Sequence, residues 1–229
     1  MGELSNHWQA IWLTLQLALF TVLILLLLGL PLAWWLSNYQ GRFKSFFEAL
    51  IALPLVLPPT VLGFYLLTAF SPDTFLGGLW VSIVGNQFVF SFAGILFGSV
   101  IYSLPFVVQP LVAAFSQTAK QVIVTASTLG IRPIKSFFYI ILPMTKNSII
   151  AAATLGFAHT LGEFGLVLMI GGNIPGSTQV VSIALFNHVE SLQYDAAHQL
   201  ALILLATSVI SLTLLYRFNR HTKSVGVGV

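Results

Sequence analysis

The stretch KQVIVTASTLGIRPIKSFFYIILP, residues 120–143, separates two strongly apolar regions and is the longest segment between them that is suited to water. It carries Lys120, Arg132 and Lys135, three of the nine Lys and Arg residues of the chain, and Lys146 follows closely. A basic segment of this length between two bilayer-length segments is either a disordered loop or a docking surface. Small and apolar residues at helical spacing favour the docking surface.

The residues of this stretch also predict its local structure. Val122, Ala126 and Leu129 recur at helical spacing and form one apolar face. Gly130 follows as a typical helix end, and Pro133 stands where a new helix often begins. We therefore expect a short helix, a glycine turn and a second short helix at the membrane surface. An ordinary surface loop is the alternative.

The composition of the chain indicates an integral membrane protein. Of its 229 residues, 57% are hydrophobic and 7% are charged, and the mean hydropathy is +0.95. A soluble domain carries about 25% charged residues. The apolar runs are long and continuous, which predicts an all-α fold. The sequence has no Cys, so disulfides and thiolate metal sites are excluded.

Five segments have the length and composition of spanning helices, because about twenty apolar residues cross a bilayer. They are residues 8–36, 49–70, 88–115, 148–170 and 196–216. The prediction is a polytopic membrane protein with a single transmembrane domain, residues 1–229, and a water-facing loop at residues 116–147. A sixth span built from residues 177–190 is the alternative, but it would bring a His and a Glu into lipid, which is costly.

The distribution of charge predicts the orientation of the chain. With five crossings, all nine Lys and Arg residues lie on the side that holds the loop 116–147 and the C-terminus. The opposite side carries Glu3, Asp73, Glu190 and Asp195 but no basic residue. The positive-inside rule therefore predicts a cytoplasmic loop and C-terminus, with the N-terminus outside. Topology and lipid account for the basic excess, so no nucleic-acid partner is expected.

The sequence offers few parts for catalysis, so we expect no catalytic residue, no metal and no cofactor. It has no Cys, no Gly-rich phosphate loop ending in Gly-Lys-Ser/Thr, and no Ser in a nucleophile-elbow context. His159 and Glu163 are two ionisable residues in one predicted span, and two ligands do not complete a metal shell. A membrane-embedded enzyme or scaffold that uses this pair is the alternative from a different class.

The spacing behind Gly130 carries a family resemblance. Nine residues separate it from the letters IILP, residues 140–143. This resembles the second half of the EAA loop of ABC-importer permeases, whose pattern is EAA, three residues, G, nine residues and I-x-L-P. Val124, Thr125 and Ala126 stand where that family favours Glu-Ala-Ala, so the acidic residue of the pattern is absent.

Two further segments resemble the molybdate permease subunits within this superfamily. They are LPLVLPPTVLG, residues 53–63, and LGEFGLVLMIGGNIPGSTQ, residues 161–179. Sulfate permeases share a similar Gly-Glu-aromatic-Gly segment but are usually longer and less like this chain at residues 174–178. The resemblance implies transport of molybdate, with tungstate, sulfate or thiosulfate as alternative substrates.

The resemblance also implies the fold and partners of a type I ABC importer. Two copies of this subunit would form a homodimer in the lipid of the cell inner membrane, with the N-terminus periplasmic. Two ABC ATPase subunits would bind on the cytoplasmic side, and a periplasmic molybdate-binding protein would deliver the oxyanion. ATP hydrolysis would belong to the partner, and the chain itself would not be an enzyme. The residues implied to couple to the ATPase are Val122, Thr125, Ala126, Ser127, Leu129, Gly130, Ile131 and Arg132.

Prolines and polar residues inside the spans are the candidates for a translocation pathway or gate. Prolines free backbone carbonyls that need protein or a water cavity around them, although simple kinking is the alternative. An ionisable residue in a span indicates function, but a carboxylate repels a dianion. We therefore expect a structural or hinge role for Glu163 rather than substrate contact. The candidates are Pro54, Pro58, Pro59, Gly162, Glu163, Gly165 and Asn173.

Two expectations concern the surroundings of Glu163. His159, one helical turn earlier, is its first candidate partner, and a lone histidine is the alternative. The backbone N–H groups of residues 171–178 would suit an anion nest, or simply form turns. No Lys or Arg lies in a predicted span, so we expect weak oxyanion binding by this chain and selectivity in the binding protein.

Overall fold

The computed structural model describes residues 2–128 and 133–223, and every regular element in these ranges is a helix. This confirms the predicted all-α fold. The helices are α1 (Gly2–Asn38), α2 (Lys44–Val56), α3 (Pro59–Ala69), α4 (Phe75–Val84), α5 (Phe92–Thr128), α6 (Pro133–Ser136), α7 (Leu142–Met144), α8 (Lys146–Leu161), α9 (Gly165–Gly171), α10 (Val181–Glu190) and α11 (Tyr194–Lys223), with a π-helical turn at Phe137–Ile141 between α6 and α7.

Within residues 2–128 and 133–223, three helices are long and apolar enough to cross a membrane alone, at His7–Asn38, Phe92–Thr118 and Tyr194–Leu214. Two bent pairs raise the number to five if each pair is one span. The first pair is α2 with α3, bent by 107°, and the second joins Ile134–Met144 to α8 with a bend of 74°. The helices α4 and α10 have 10 residues each. About 15 Å of helix does not cross the hydrocarbon core of about 30 Å.

Two of the predicted spans contain a break. Residues 49–70 fold as α2 and α3, because Pro58 has no N–H and drives Leu57 to an extended backbone with ψ of 132°. Residues 148–170 fold as α8 and α9, which are separated by residues 162–164. Both breaks lie in the segments that the sequence marks with prolines or glycines.

Helix α5 continues into the stretch at residues 120–143. The sequence predicts a separate short helix there, beginning near Val122. The structure has one uninterrupted helix to Thr128 instead, because residues 111–128 contain neither Gly nor Pro to end it. With 37 residues, α5 is about 55 Å long and exceeds the bilayer core of about 30 Å.

The centre of the fold is a bundle of α1, α5 and α8 that is packed through small residues. A Cβ on Gly156 of α8 would lie 2.6 Å from the Cγ2 atom of Val107 of α5. Lipid is as apolar as the side chains, so spanning helices associate through such close packing. Towards the end of α1, the Trp34 ring lies 6.0 Å from that of Phe115 and 5.0 Å from that of Phe137, measured between centroids.

The short helix α9 is held between α3 and α5 by two glycines. A Cβ on Gly63 of α3 would lie 2.7 Å from the Met169 Cβ and 3.2 Å from the backbone oxygen of Leu166. A Cβ on Gly98 of α5 would lie 2.5 Å from the Leu166 Cδ2 atom. The contact at Gly63 involves the α9 backbone, which cannot move aside as the end of a side chain can.

We expect Gly63→Ala to lower the free energy of unfolding by about 1–3 kcal/mol, because the added methyl group overpacks α3 against α9. The melting temperature in detergent measures this effect. Gly78→Ala is the matched control, since its Cβ would meet only the Pro72 backbone oxygen, at 3.4 Å. An alanine there should leave stability unchanged or raise it slightly. Equal melting temperatures for Gly63→Ala and the unmodified chain would contradict the packing argument.

Candidate functional site

The candidate site is built around the break between α8 and α9. The N–H groups of Gly162 and Glu163 donate to the carbonyls of His159 and Thr160, at 3.2 and 3.3 Å, and so close the end of α8. Phe164 leaves the helical conformation, with φ of −129° and ψ of −65°, before α9 begins. The glycines that flank the break favour it, because glycine is a poor residue for a helix interior. Glu163 is thereby placed inside a bundle rather than on a helix surface.

Glu163 is only 4% exposed, and its main chain is fixed to α10. The Ser182 hydroxyl donates a hydrogen bond of 2.6 Å to the Glu163 carbonyl oxygen. This bond satisfies a carbonyl group that the helix break would otherwise leave without a partner, which is a requirement for irregular backbone within a membrane. The break is therefore a built feature, supported by a neighbouring helix.

The Glu163 carboxyl group itself has no hydrogen-bond partner among the described residues. The Ser99 hydroxyl and the Tyr102 phenol, both on α5, are close enough to interact with it electrostatically. The Ser99 hydroxyl is also buried and has no partner of its own in the described part of the chain. The two carboxyl oxygens of Glu163 and the Ser99 hydroxyl are thus buried without hydrogen bonds, on the break and on the neighbouring helix α5.

His159 does not pair with Glu163, although the sequence makes it the first candidate partner. Its Nδ1 atom lies 2.9 Å from the Ser103 hydroxyl, and its ring stacks on Phe106 at 3.9 Å between centroids. Ser103 also lies 3.1 Å from the Thr160 hydroxyl. The alternative of an enzyme with a His159–Glu163 pair therefore finds no support in the geometry. Within the described ranges, no three metal-ligating side chains come together.

In the structure, Pro59 lies next to the break between α8 and α9, whereas Pro54 lies earlier in the chain, inside α2. A Cβ on Gly165, the first residue of α9, would lie 3.2 Å from the Thr60 Cγ2 atom and 3.5 Å from the Pro59 Cβ atom. Pro58, the residue before α3, is exposed, whereas Pro54 is buried inside α2. The turn between α2 and α3 is thus in direct contact with the start of α9.

A cleft of about 340 Å³ opens between α2, α5 and α8. Most of its lining is apolar, and Phe106, which stacks on His159, forms part of its wall. Its lining residues are Leu55, Pro105, Phe106, Gln109, Pro110 and Leu155. None of them carries a charge, so the cleft has no fixed cation with which to hold an anion.

Asn173 belongs to a polar cluster in the loop after α9. Its Oδ1 atom accepts hydrogen bonds from Gln179 Nε2, at 2.8 Å, and from Asn187 Nδ2, at 3.0 Å. The N–H groups of Thr178 and Gln179 both donate to the Ile174 carbonyl at 3.0 Å. These internal bonds use the donors that an anion nest would need, so the geometry favours the turn interpretation.

Four of the eight residues implied to couple to an ATPase lie at the far end of α5. Val122, Thr125, Ala126 and Ser127 are on its last turns. The other four fall outside the described residues: Leu129, Gly130, Ile131 and Arg132.

Sequence reasoning missed the polar contacts that link distant segments. Ser99 and Ser103 are one turn apart on an apolar helix, and that spacing was a signal of a polar face. Ser182 gave no such signal. Neither did the contact between His7 and His188, whose Nε2 atoms lie 2.8 Å apart.

We expect Thr178→Val to lower the free energy of unfolding by about 1–3 kcal/mol, because it leaves the buried Gly171 carbonyl without its partner. The Thr178 hydroxyl donates to that carbonyl at 2.6 Å and accepts from the Ile174 N–H at 3.3 Å. Thr68→Val is the control, since its exposed hydroxyl bonds only to carbonyls of its own helix. Thermal unfolding in detergent compares the two, and equal effects would argue against a structural role for Thr178.

Comparisons with known proteins agree in one family. A family profile described as "Binding-protein-dependent transport system inner membrane component" matches residues 25–224. The chain is 48% identical over 218 residues to the "Molybdenum transport system permease protein ModB" of Azotobacter vinelandii, covering 95% of this chain and 96% of the relative. It is 33% identical over 197 residues to the "Sulfate transport system permease protein CysT" of Escherichia coli K12, covering 84% and 71%.

Solved structures share the fold. A bacterial ABC transporter involved in the import of the acidic polysaccharide alginate superposes with a TM-score of 0.73 at 17% identity, covering 96% of this chain and 79% of that one. The inward-facing MetNI methionine ABC transporter gives 0.70 at 15% identity, covering 93% and 94%. The chain therefore belongs to the family of inner membrane components of binding-protein-dependent transport systems.

Proposed function

We propose that this chain is the permease subunit of an ATP-driven importer of molybdate. The observation that carries the proposal is the 48% identity to a molybdenum permease over nearly the whole of both chains. The ABC-importer permease fold is consistent with it. ATP hydrolysis then belongs to a partner subunit, and this chain is not an enzyme.

The cleft between α2, α5 and α8 is the proposed route of the oxyanion through this subunit. Its uncharged and mostly apolar lining supports weak binding, because such a lining does not compensate the cost of taking a dianion out of water. Selectivity would then come from the periplasmic binding protein. Pro54, Pro58 and Pro59, with Gly162, Gly165 and the Glu163 break, would form or gate this route. Asn173 would contribute to the route only through the loop that follows α9.

Helix α5 is the proposed mechanical link between the ATPase and the break. It carries Ser99 and Ser103 beside the break, and Ser127 lies on its last turns. From Ser103 to Ser127 the helix rises about 36 Å. The helix is continuous over this length, so it could carry a displacement from one end to the other, with Pro105 and Pro110 as the points at which it could bend. Closure of an ATPase pair would thus move the elements packed around Glu163.

The assembly that we propose is a homodimer in the lipid of the cell inner membrane with two ABC ATPase subunits on its cytoplasmic side. A periplasmic molybdate-binding protein would supply the substrate. The N-terminus would be periplasmic and the C-terminus cytoplasmic, since this orientation places all nine Lys and Arg residues inside. Val124 replaces the acidic residue of the family pattern, so the ATPase contact would rely on shape and apolar side chains.

We expect Leu129→Arg to weaken binding of the ATPase subunit at least about tenfold, because a charge would replace an apolar anchor at the interface. Co-purification of the tagged chain with its ATPase measures this loss. Leu192→Arg is the matched control: Leu192 is 71% exposed and lies on the predicted outer side. If Leu129→Arg retains the ATPase as well as Leu192→Arg does, the docking assignment is wrong.

Uptake into vesicles tests the proposed substrate. Vesicles that contain the permease, its ATPase and the binding protein should accumulate molybdate on addition of ATP. Tungstate is expected to compete, since it has the same charge and shape, and sulfate to compete weakly. The 33% identity to a sulfate permease makes sulfate the second candidate. Uptake of sulfate with no uptake of molybdate would show that the proposed substrate is wrong and that sulfate is the substrate.

A further inference from the structure

The Glu163 carboxyl group is the polar feature that the proposed route does not explain. It is buried at the centre of the bundle, whereas the neighbouring Gly162 is exposed. Both carboxyl oxygens lack a hydrogen bond within the described ranges. A carboxylate in this position would carry a full charge in a buried site where the described residues place no cation beside it, which is among the most costly arrangements in a protein interior.

The surroundings of Glu163 supply no positive charge. On α5 the titratable neighbour is Tyr102 and the nearest hydroxyl is Ser99. On α8 the titratable residue is His159, which already forms a hydrogen bond with Ser103 and stacks on Phe106. On α10 the Ser182 hydroxyl binds the Glu163 backbone, not its side chain. In the described parts of the predicted spans there is no Lys or Arg.

We infer that Glu163 is a positioning residue that carries a proton while the break between α8 and α9 is buried, and that its neutral carboxyl group holds the break against Ser99 of α5. The inference rests on the proposed transport function and deepens it. A protonated carboxyl group can donate to the Ser99 hydroxyl, which has no other partner in the described structure. One proton thus satisfies two buried groups and removes the charge.

Loss of this proton has a defined consequence for an oxyanion importer. The carboxylate would be driven out of the bundle, on the side where Gly162 is exposed at the surface of the chain. That movement would separate the break from α5 and bring a negative charge towards the route of a dianion. Both effects oppose uptake. Transport should therefore fall as the pH rises, whereas a neutral amide at this position should not respond.

The protonation itself is tested without any substrate. Infrared spectra of the purified chain in lipid at neutral pH should contain the carbonyl band of a protonated carboxylic acid. Glu163→Gln should lose this band. The control Glu190→Gln should keep it, because Glu190 is an exposed acid at the end of α10. Absence of the band from the unmodified protein would overturn the inference, even if molybdate uptake is normal.

The functional role is tested by the pH profile of molybdate uptake in vesicles with the ATPase and the binding protein. From about pH 6 to about pH 9, uptake by the unmodified chain and by Glu190→Gln should fall about tenfold. Glu163→Gln should show no such fall. The same decline in Glu163→Gln, or its inactivity at every pH despite a bound ATPase, would refute the role. Failure of all variants to take up molybdate, with the infrared band present, would reject the proposed substrate only.

Discussion

The hydrogen bond from the Ser182 hydroxyl to the Glu163 carbonyl makes the broken helix compatible with a membrane. Lipid offers no partner for a free carbonyl, so a break survives only where protein supplies one. The same requirement is met at the next turn of the chain, where the Thr178 hydroxyl donates to the Gly171 carbonyl. The short helix α9 is thus tied at both ends. Its position between α3 and α5 follows from these bonds together with the close glycine contacts.

The fold combines continuous helices with interrupted ones. Helix α5 is continuous and longer than the bilayer core is thick. The pairs α2 with α3, and α8 with α9, are interrupted at prolines or glycines. The break between α8 and α9 lies beside Ser99 and Ser103 of α5. In the proposed mechanism, the continuous helix would transmit the motion and the interrupted helices would form the gate.

The sequence predicted the features that depend on local composition. Long apolar runs predicted the helices, and the pairs Pro58-Pro59 and Gly162–Gly165 marked both breaks. The uninterrupted end of α5 was missed, because the small residues near Ala126 also suit a separate helix. The pairing of His159 with Ser103 instead of Glu163 could not be predicted, since spacing on one helix does not reveal which neighbour lies opposite. Contacts of this kind depend on how separate helices pack.

The contact between His7 and His188 joins the start of α1 to the end of α10 across 181 positions of the chain. A second bond of the same kind runs from the Val181 N–H to the Thr14 hydroxyl. The outer end of α1, the first helix to be synthesised, therefore gains these contacts only after α10 has been synthesised. A nascent chain that ends before α10 therefore lacks these contacts near the start of α1, while α1 can already pack against α5. The outer end of α1 is thus made first and gains its contacts with α10 only late in synthesis.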